Sequence, residues 1–198
     1  MCRLLETIKV KNGELHNVNL HNERLNRSRL ELFDIEDKIK LENEIFISYE
    51  MRKGNYKCRI IYEKNIEKIE LTPYKIPKIN SLKIVHLDSI QYSYKFENRE
   101  AINQLYLQKE QCDDILIVRN GMITDTSFCN IIFNDGNKLI TPSTPLLKGV
   151  KREQLLREGK ITENEIKLTD IHLFKKAFLI NAMIELEDNV EISINKII

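Results

Sequence analysis

The sequence is poor in the features that mark several common classes of protein. Its 198 residues include only 6 glycines and 4 prolines, too few for a disordered or low-complexity chain. No stretch approaches the roughly 20 consecutive apolar residues that a transmembrane helix needs. Lysine plus arginine (31) nearly balance aspartate plus glutamate (30), so no basic field exists to hold a nucleic acid or an anionic membrane. This composition favours a globular protein that acts on small molecules.

Cysteine and histidine are too sparse and too scattered to indicate a disulfide framework or a metal site. The four cysteines form no C-x-x-C pair, and no two of the four histidines are spaced i, i+4. Reduced thiols are typical of the cytoplasm, and no apolar leader precedes the stretch MCRLLETIKV. We therefore expect a cytoplasmic protein without a metal site.

Residues 1–78 predict a small N-terminal α+β subdomain. Asn12-Gly13 lies between two strand-like runs, which is a strong signal for a β-hairpin. A prolyl stretch with no clear period, which contains Pro73 and Pro77, reads as a connector and places the boundary between residues 78 and 79. Apolar spacing predicts a helix at 21–33 and further strands at 57–62 and 66–71.

Residues 79–198 predict a larger, strand-rich C-terminal subdomain. Turn signals at Asn120-Gly121 and Asp135-Gly136 lie between β-rich runs and predict an antiparallel meander. Thr169 is the expected N-cap of a short helix, and the stretch AFLINAMIEL reads as a buried strand. Further elements are predicted as a strand at LKIVHL, a helix at 98–112, and a helix in TPLLKGVKREQLLREG that Gly159 ends. The whole chain is therefore expected to have an α+β fold.

The stretch YSYKFENRE sets Lys95 among the aromatic residues Tyr92, Tyr94 and Phe96. A lysine in such company can simply lay its stem along an apolar surface. It can also be an amine kept partly out of water for covalent chemistry, because partial burial favours the neutral form that attacks a carbonyl. The stretch alone leaves both interpretations open.

Three other polar segments have structural interpretations when each is taken alone. The polar residues of ITDTSFCNIIF can satisfy local backbone groups, LLKGVKRE can be a helix start, and LHNERLNRS can be a solvated helical face. Arg59, in a predicted strand, can meet a substrate carboxylate, although an arginine there more often faces solvent. No histidine accompanies Cys129 locally, so we interpret it as a small core residue rather than a nucleophile.

The order and spacing of these segments resemble the fold-type IV pyridoxal-phosphate enzymes, also called the class IV aminotransferase family. The pattern is a helical Arg24, then Lys95, then a strand with Asp125-Thr-Ser-x-x-Asn130, then T-P followed by LKGVKR. This family includes the branched-chain and D-amino-acid aminotransferases and aminodeoxychorismate lyase. The stretches YSYKFENRE, DDILIVRNGMITDTSFCNIIF and TPSTPLLKGVKRE look most like the short lyase-type members of bacterial folate synthesis.

The resemblance implies pyridoxal 5'-phosphate as the cofactor and a role for each matching residue. Lys95 would bind the cofactor covalently, and Asp125 would keep its ring nitrogen protonated. Arg24 would grip the phosphate as a charged fork, aided by backbone N–H groups at a helix N-terminus. The full set implied to bind the cofactor is Arg24, Lys95, Asp125, Asn130, Gly149, Val150, Lys151 and Asn181.

The sequence departs from the family pattern at three places. Asp125 stands where glutamate is commoner, so the strand must approach the cofactor ring more closely. Lys151 stands where Thr or Ser is frequent, which removes a hydroxyl contact but leaves the backbone donor. The family's D-R-G and G-D-G-x-F segment before the first strand is not seen, and because the cofactor residues lie elsewhere we expect binding to survive.

Three functions remain open at this point. The first is aminodeoxychorismate lyase, which yields p-aminobenzoate and pyruvate; we prefer it by analogy with the short members. The second is an aminotransferase for D- or branched-chain amino acids, which needs the same residues. The third is a relic of the fold that binds no cofactor and acts as a binding module. The resemblance also implies a homodimer.

Overall fold

The computed structural model describes residues 2–90 and 92–198, and the chain divides into two compact units. The first unit comprises Met1–Ile76 and Tyr94–Asn98, and the second comprises Pro77–Ser93 and Arg99–Ile198. The short segment that carries Lys95 thus belongs to the first unit. The subdomain boundary between residues 78 and 79 stays a prediction. Helices and strands alternate irregularly in both units, and the predicted α+β class is confirmed.

The first unit is built on a four-stranded antiparallel sheet. Asn12 and Gly13 join its first two strands, and both have positive φ (53° and 86°), as a two-residue hairpin turn requires. The predicted hairpin is therefore confirmed, although its second strand is only two residues long. The strands are β1 (Leu4–Lys11), β2 (Glu14–Leu15), β3 (Asn55–Tyr62) and β4 (Ile66–Pro73), in the order β2-β1-β3-β4.

The first unit also contains two α-helices, α1 (Val18–Phe33) and α2 (Leu41–Glu44), and a 3-10 helix at Tyr49–Arg52. Apolar side chains from the strands and both helices form its core, and burial of each contributes about 1.5–3 kcal/mol. The buried face of α1 is unusually polar. Its residues recur at helical spacing and are His21, Arg24, Leu25, Ser28 and Arg29. Because buried charged groups are costly unless paired, this face must hold a polar cluster.

The second unit is built on an eight-stranded sheet. Its strands are β5 (Leu82–His86), β6 (Asp114–Arg119), β7 (Met122–Thr126), β8 (Asn130–Asn134), β9 (Leu139–Pro142), β10 (Thr162–Asn164), β11 (Lys176–Ile180) and β12 (Glu191–Ser193). Strands β6 to β9 form an antiparallel meander, and the two predicted turns join β6 to β7 and β8 to β9. The single strand predicted through Asp125 and Asn130 is wrong, because residues 127–129 interrupt it and separate β7 from β8. Strand β5 pairs with β6, and β9 with β10, in parallel, and β11 pairs with β8 and with β12.

Two α-helices belong to the second unit, α3 (Glu100–Tyr106) and α4 (Val150–Arg157). The helix predicted at 98–112 is shorter than expected, because a 3-10 turn at Leu107–Lys109 follows α3 directly. The predicted N-cap at Thr169 is wrong. A 3-10 helix at Leu168–Leu173 already contains Thr169, and Lys167 precedes it.

The four cysteines are free thiols; Cys2 is exposed, and Cys58, Cys112 and Cys129 are buried.

Within residues 2–90 and 92–198 no helix combines the length and the apolar character needed to cross a membrane.

Candidate active site

In the first unit, a buried carboxylate on β1 organises two side chains of α1. Glu6 is fully buried and follows the same alternation as the core residues Leu4 and Ile8. Arg24 donates from Nε to Glu6 Oε1 at 2.8 Å and from Nη2 to Oε2 at 2.6 Å. His21 Nδ1 lies 2.6 Å from the same Oε2. Three side chains therefore share one buried ionic cluster, which we call the Glu6 cluster.

The protonation states of the Glu6 cluster follow from its contacts. Burial alone would raise the pKa of Glu6, but the charge and hydrogen bonds of Arg24, together with His21, lower that pKa to about 2. Burial lowers the pKa of His21, Glu6 opposes that effect, and the positive charges of Arg24 and Lys95 reinforce it. His21 is therefore neutral at pH 7, and the ionised Glu6 selects the tautomer with the proton on Nδ1.

Lys95 lies beside this cluster, on a segment that is anchored to the first unit. The backbone N–H of Leu5 donates to the Lys95 carbonyl at 2.8 Å. Tyr94 and Phe96 pack against the core of the first unit, and the centroids of these two rings are 5.9 Å apart. The Lys95 side chain is half-buried, and its charge acts on His21. The backbone on both sides of the lysine is thus held in place by aromatic packing.

In the second unit, Asp125 and Asn130 face each other across β7 and β8. The two residues are direct partners in the strand register, and Asn130 Nδ2 donates to Asp125 Oδ1 at 2.8 Å. The backbone N–H of Leu147 donates to Asp125 Oδ2 at 3.0 Å. Asn130 also donates to the Leu147 carbonyl at 2.9 Å. One amide side chain and one loop thereby fix the orientation of the carboxylate.

Asp125 is buried, and its hydrogen-bond donors are neutral. Burial raises the pKa of Asp125 to about 6, against the lowering effects of Leu147, Asn130, Leu146 and the more distant charge of Arg152. A buried carboxylate of this kind is costly to ionise and attracts a cation or a protonated ring nitrogen.

Gly149 precedes α4 and touches the same group. A Cβ atom at Gly149 would overlap Asn130 Oδ1. Its φ of −70° and ψ of 146° suit any residue, so space rather than backbone conformation requires glycine here. The predicted residues Asp125, Asn130 and Gly149 therefore lie together, at the start of the helix that continues with Val150 and Lys151.

Lys151 and Asn181 are both engaged by protein groups. The Lys151 ammonium donates to Gln154 Oε1 at 2.6 Å and also to Glu185. Asn181 Oδ1 accepts from the backbone N–H groups of Met183 (2.7 Å) and Ile184 (3.0 Å), as in an Asx turn. The contacts of Asn181 are those of a satisfied turn residue, and its role toward a cofactor stays a prediction.

The structure also defines the contacts of Cys129 and Arg59. Asn181 Nδ2 lies 3.2 Å from the buried Cys129 sulfur, and burial raises the pKa of that thiol. Cys129 is therefore a core residue, as its sequence context predicts.

Arg59 pairs with Glu97 at 3.1 Å and with Glu70 at 3.5 Å, and its side chain remains partly exposed.

Sequence reasoning missed Glu6 and His21. A signal was present, because Glu6 occupies an inward position of the alternating strand LLETIKV, where an apolar residue is expected. His21 and Arg24 are spaced i, i+3 on the following helix and can both reach such a carboxylate.

Comparison with known proteins identifies the class to which this fold and these residues belong. The sequence profile of the amino-transferase class IV family matches residues 94–187, the part of the chain that contains Lys95 and Asp125. A Haemophilus influenzae protein, itself uncharacterised, is 39% identical over 186 residues, which cover 92% of this chain and 98% of that protein. The chain belongs to the class IV aminotransferase family and has its fold-type IV architecture.

Two solved structures resemble this chain, one in sequence and fold and the other in fold alone. A Haemophilus somnus protein provisionally named 4-amino-4-deoxychorismate lyase is 35% identical, with a TM-score of 0.88 over 93% of this chain and 98% of its own. A hypothetical aminotransferase from Mycobacterium tuberculosis, solved in a PLP-bound form, shares the fold at 17% identity. Its TM-score is 0.72 over 92% of this chain and 78% of its own.

Proposed function

We propose that this protein is a pyridoxal 5'-phosphate enzyme that acts as an aminodeoxychorismate lyase and releases p-aminobenzoate and pyruvate. Membership of the class IV family and the PLP-bound neighbour of the same fold support the cofactor. The 35% identical neighbour that carries the lyase name supports this reaction over transamination.

The observation that carries the proposal is the buried carboxylate of Asp125. A carboxylate held by neutral donors in an apolar setting has no evident value for stability. Its charge is useful if it keeps the pyridine nitrogen of the cofactor protonated. The loop at Leu147 and the amide of Asn130 already aim both carboxylate oxygens, so the group needs no rearrangement to do so.

The phosphate of the cofactor needs cationic and backbone donors. Arg24 would supply a guanidinium, and the first turn of α4, at Val150 and Lys151, would supply N–H groups and the positive end of the helix dipole. Since the Lys151 side chain already binds Glu185 and Gln154, only its backbone donor is assigned to the phosphate.

Lys95 would have two roles in turn. Its amine would bind the cofactor until the substrate's amine displaces it, and it would then take the proton from the ring carbon that bears the substrate's amine. When bound, PLP withdraws electrons from that carbon. The bond between the neighbouring ring carbon and the enolpyruvyl oxygen would then break, and the group would leave as enolpyruvate, which takes up a proton to become pyruvate. The ring would become that of p-aminobenzoate, and this aromatisation would drive the reaction.

A pair of assays tests the reaction. Purified protein with PLP is given aminodeoxychorismate, and p-aminobenzoate fluorescence and pyruvate are followed; D- and L-amino acids with 2-oxoglutarate are offered separately. We expect both products in the first assay and slow or no turnover in the second. Turnover in the second alone would replace the lyase by an aminotransferase. If the protein shows no absorbance from bound cofactor after it has been incubated with PLP, a binding module is supported instead.

A further inference from the structure

The guanidinium of Arg24 is gripped along one defined edge. Its Nε and one N–H of Nη2 meet the two oxygens of Glu6, at 2.8 and 2.6 Å, in a bidentate geometry. A guanidinium carries five N–H groups in a rigid plane. Fixing the edge formed by Nε and Nη2 therefore also fixes the direction of the outer edge, formed by Nη1 and the second N–H of Nη2.

The Glu6 carboxylate is held in place by its strand, β1, and by the side chains of His21 and Arg24. It stands on β1 between the core residues Leu4 and Ile8, and His21 contacts the same oxygen that Nη2 of Arg24 contacts. With Oε2 shared between two donors and the side chain fully buried, the carboxylate has little freedom to turn. The position of Arg24 is thus set by the strand through Glu6.

The Glu6 cluster is an inefficient way to stabilise the fold. The free energy lost in desolvating a carboxylate, a guanidinium and an imidazole offsets most of the free energy gained from their attraction, and apolar residues of similar volume often give equal stability. The neighbouring Leu25 shows that the same helix face accommodates an apolar core residue. The cluster also lies near Lys95, whose charge acts on His21. These facts favour a role in binding.

We infer that Glu6 is a positioning residue for anion binding, which orients Arg24 so that its outer guanidinium edge receives the phosphate of the cofactor. The inference rests on the proposed function, in which Arg24 meets that phosphate. Glu6 acts through Arg24 and does not itself touch the cofactor.

Two roles for Glu6 predict results of opposite sign. If Glu6 only neutralised Arg24, its removal would leave a net positive charge and would strengthen the binding of a phosphate dianion. If Glu6 orients Arg24, its removal weakens phosphate binding even though a negative charge has gone. The sign of the change therefore distinguishes the two.

The experiment compares two probes that differ only in the phosphate. Dissociation constants for PLP and for pyridoxal are measured by absorbance on wild type and on Glu6→Gln, which preserves the side-chain shape. We expect the variant to bind PLP about 10- to 100-fold more weakly, the loss typical of a charge-assisted hydrogen bond, and pyridoxal as wild type does. Glu67→Gln, which breaks an exposed pair with Arg3 in the same unit, is the matched control and should change neither constant.

A double variant tests whether Glu6 acts through Arg24. Arg24→Met should by itself reduce the preference for PLP over pyridoxal to the part that the first turn of α4 supplies, and adding Glu6→Gln should weaken PLP binding no further. Additive losses would overturn the inference, as would tighter PLP binding by Glu6→Gln or an equal loss for both probes.

Folding failure is covered by a second variant. If Glu6→Gln does not fold, Glu6→Asp replaces it, and the shorter carboxylate should also weaken PLP alone. If neither variant folds, the cluster is structural and the inference is overturned. A wild-type protein that does not bind PLP would instead refute the proposed function.

Discussion

At the scale of single residues, Asp125 is a group whose burial opposes folding. The pKa of Asp125 is about 6 in the folded protein, against 3.8 for an ordinary aspartate, because burial disfavours its charged form. Between these two values the folded state binds more protons than the unfolded state, so stability falls as pH rises from about 4 to about 6. The carboxylate is therefore least favourable at the pH where the enzyme would need it.

Replacement of Asp125 by Asn should stabilise the cofactor-free protein above pH 6. The shift of the pKa corresponds to a gain of up to about 3 kcal/mol above about pH 6, which should shrink as the pH falls and disappear below about pH 3, where the carboxyl is protonated in both states. Urea denaturation of both proteins at several pH values measures it. The NH2 group of Asn would face a donor that now binds a carboxylate oxygen, and this cost is the same at every pH. A stability difference that does not change with pH would therefore show that burial does not disfavour the charged form of Asp125.

The same substitution should impair cofactor function. Asn cannot supply the negative charge that keeps a ring nitrogen protonated, so Asp125→Asn should lose most of its turnover while it remains folded. Turnover close to that of wild type would contradict the role given to Asp125.

Gly149 is predicted to be required for space alone. In Gly149→Ala the new methyl group would displace Asn130 from Asp125, with a loss of about 1–3 kcal/mol in the free energy of unfolding and weaker PLP binding. Gly159→Ala is a suitable control. Gly159 has a φ of 65° with nothing within 4 Å, so alanine there should cost about 1 kcal/mol through backbone strain and leave PLP binding unchanged.

At the scale of elements, α4 is tied to the chain after β11 by an ion pair whose lysine is buried and whose glutamate is partly exposed. Lys151 lies in the first turn of α4, its side chain is nearly fully buried, and it binds Glu185. Removal of one partner of such a pair leaves the other carboxylate without its counter-charge. The side chain of Lys151 therefore has a structural role, separate from that of its backbone N–H.

Lys151→Met should lower stability and retain the cofactor. We expect a loss of about 1–3 kcal/mol in the free energy of unfolding, with the PLP dissociation constant within about threefold of wild type. Lys176→Met, which breaks the exposed pair with Glu191, should cost under about 1 kcal/mol. If Lys151→Met stays folded but cannot bind PLP, the ammonium itself contacts the cofactor.

Elements with strong local signals were predictable from the sequence. Asn12-Gly13 and Asn120-Gly121 specify their turns because positive φ is needed at both positions, and the hairpins form as expected. The error at Thr169 arose because a 3-10 turn began earlier than the capping pattern suggested. Local sequence describes a turn well, but the end of a short helix depends on what packs around it.

The candidate site was only partly predictable. The motif contained both Asp125 and Asn130, but the sequence pattern predicts them on one strand, whereas the structure pairs them across β7 and β8. The Glu6 cluster joins β1 to α1 through side chains, and its partners are defined only once the helix packs on the sheet. Gly149 was predicted as one of the residues that bind the cofactor, whereas the structure shows that it also makes room for Asn130.

At the scale of the whole molecule, we propose that the protein is a homodimer, as the family resemblance implies. Symmetric dimers are the commonest soluble oligomers. Sedimentation equilibrium should give twice the mass of one chain at micromolar concentration. The mass of a single chain under these conditions would contradict the proposal.

The account depends above all on one amine. Protein incubated with PLP is reduced with borohydride, digested, and analysed by mass spectrometry, with Lys95→Ala treated in parallel. We predict a phosphopyridoxyl group on the peptide that contains Lys95 in wild type, and no comparable labelling of the variant. Label spread over surface lysines, or equal labelling of both proteins, would contradict the assignment of Lys95 and the function built on it.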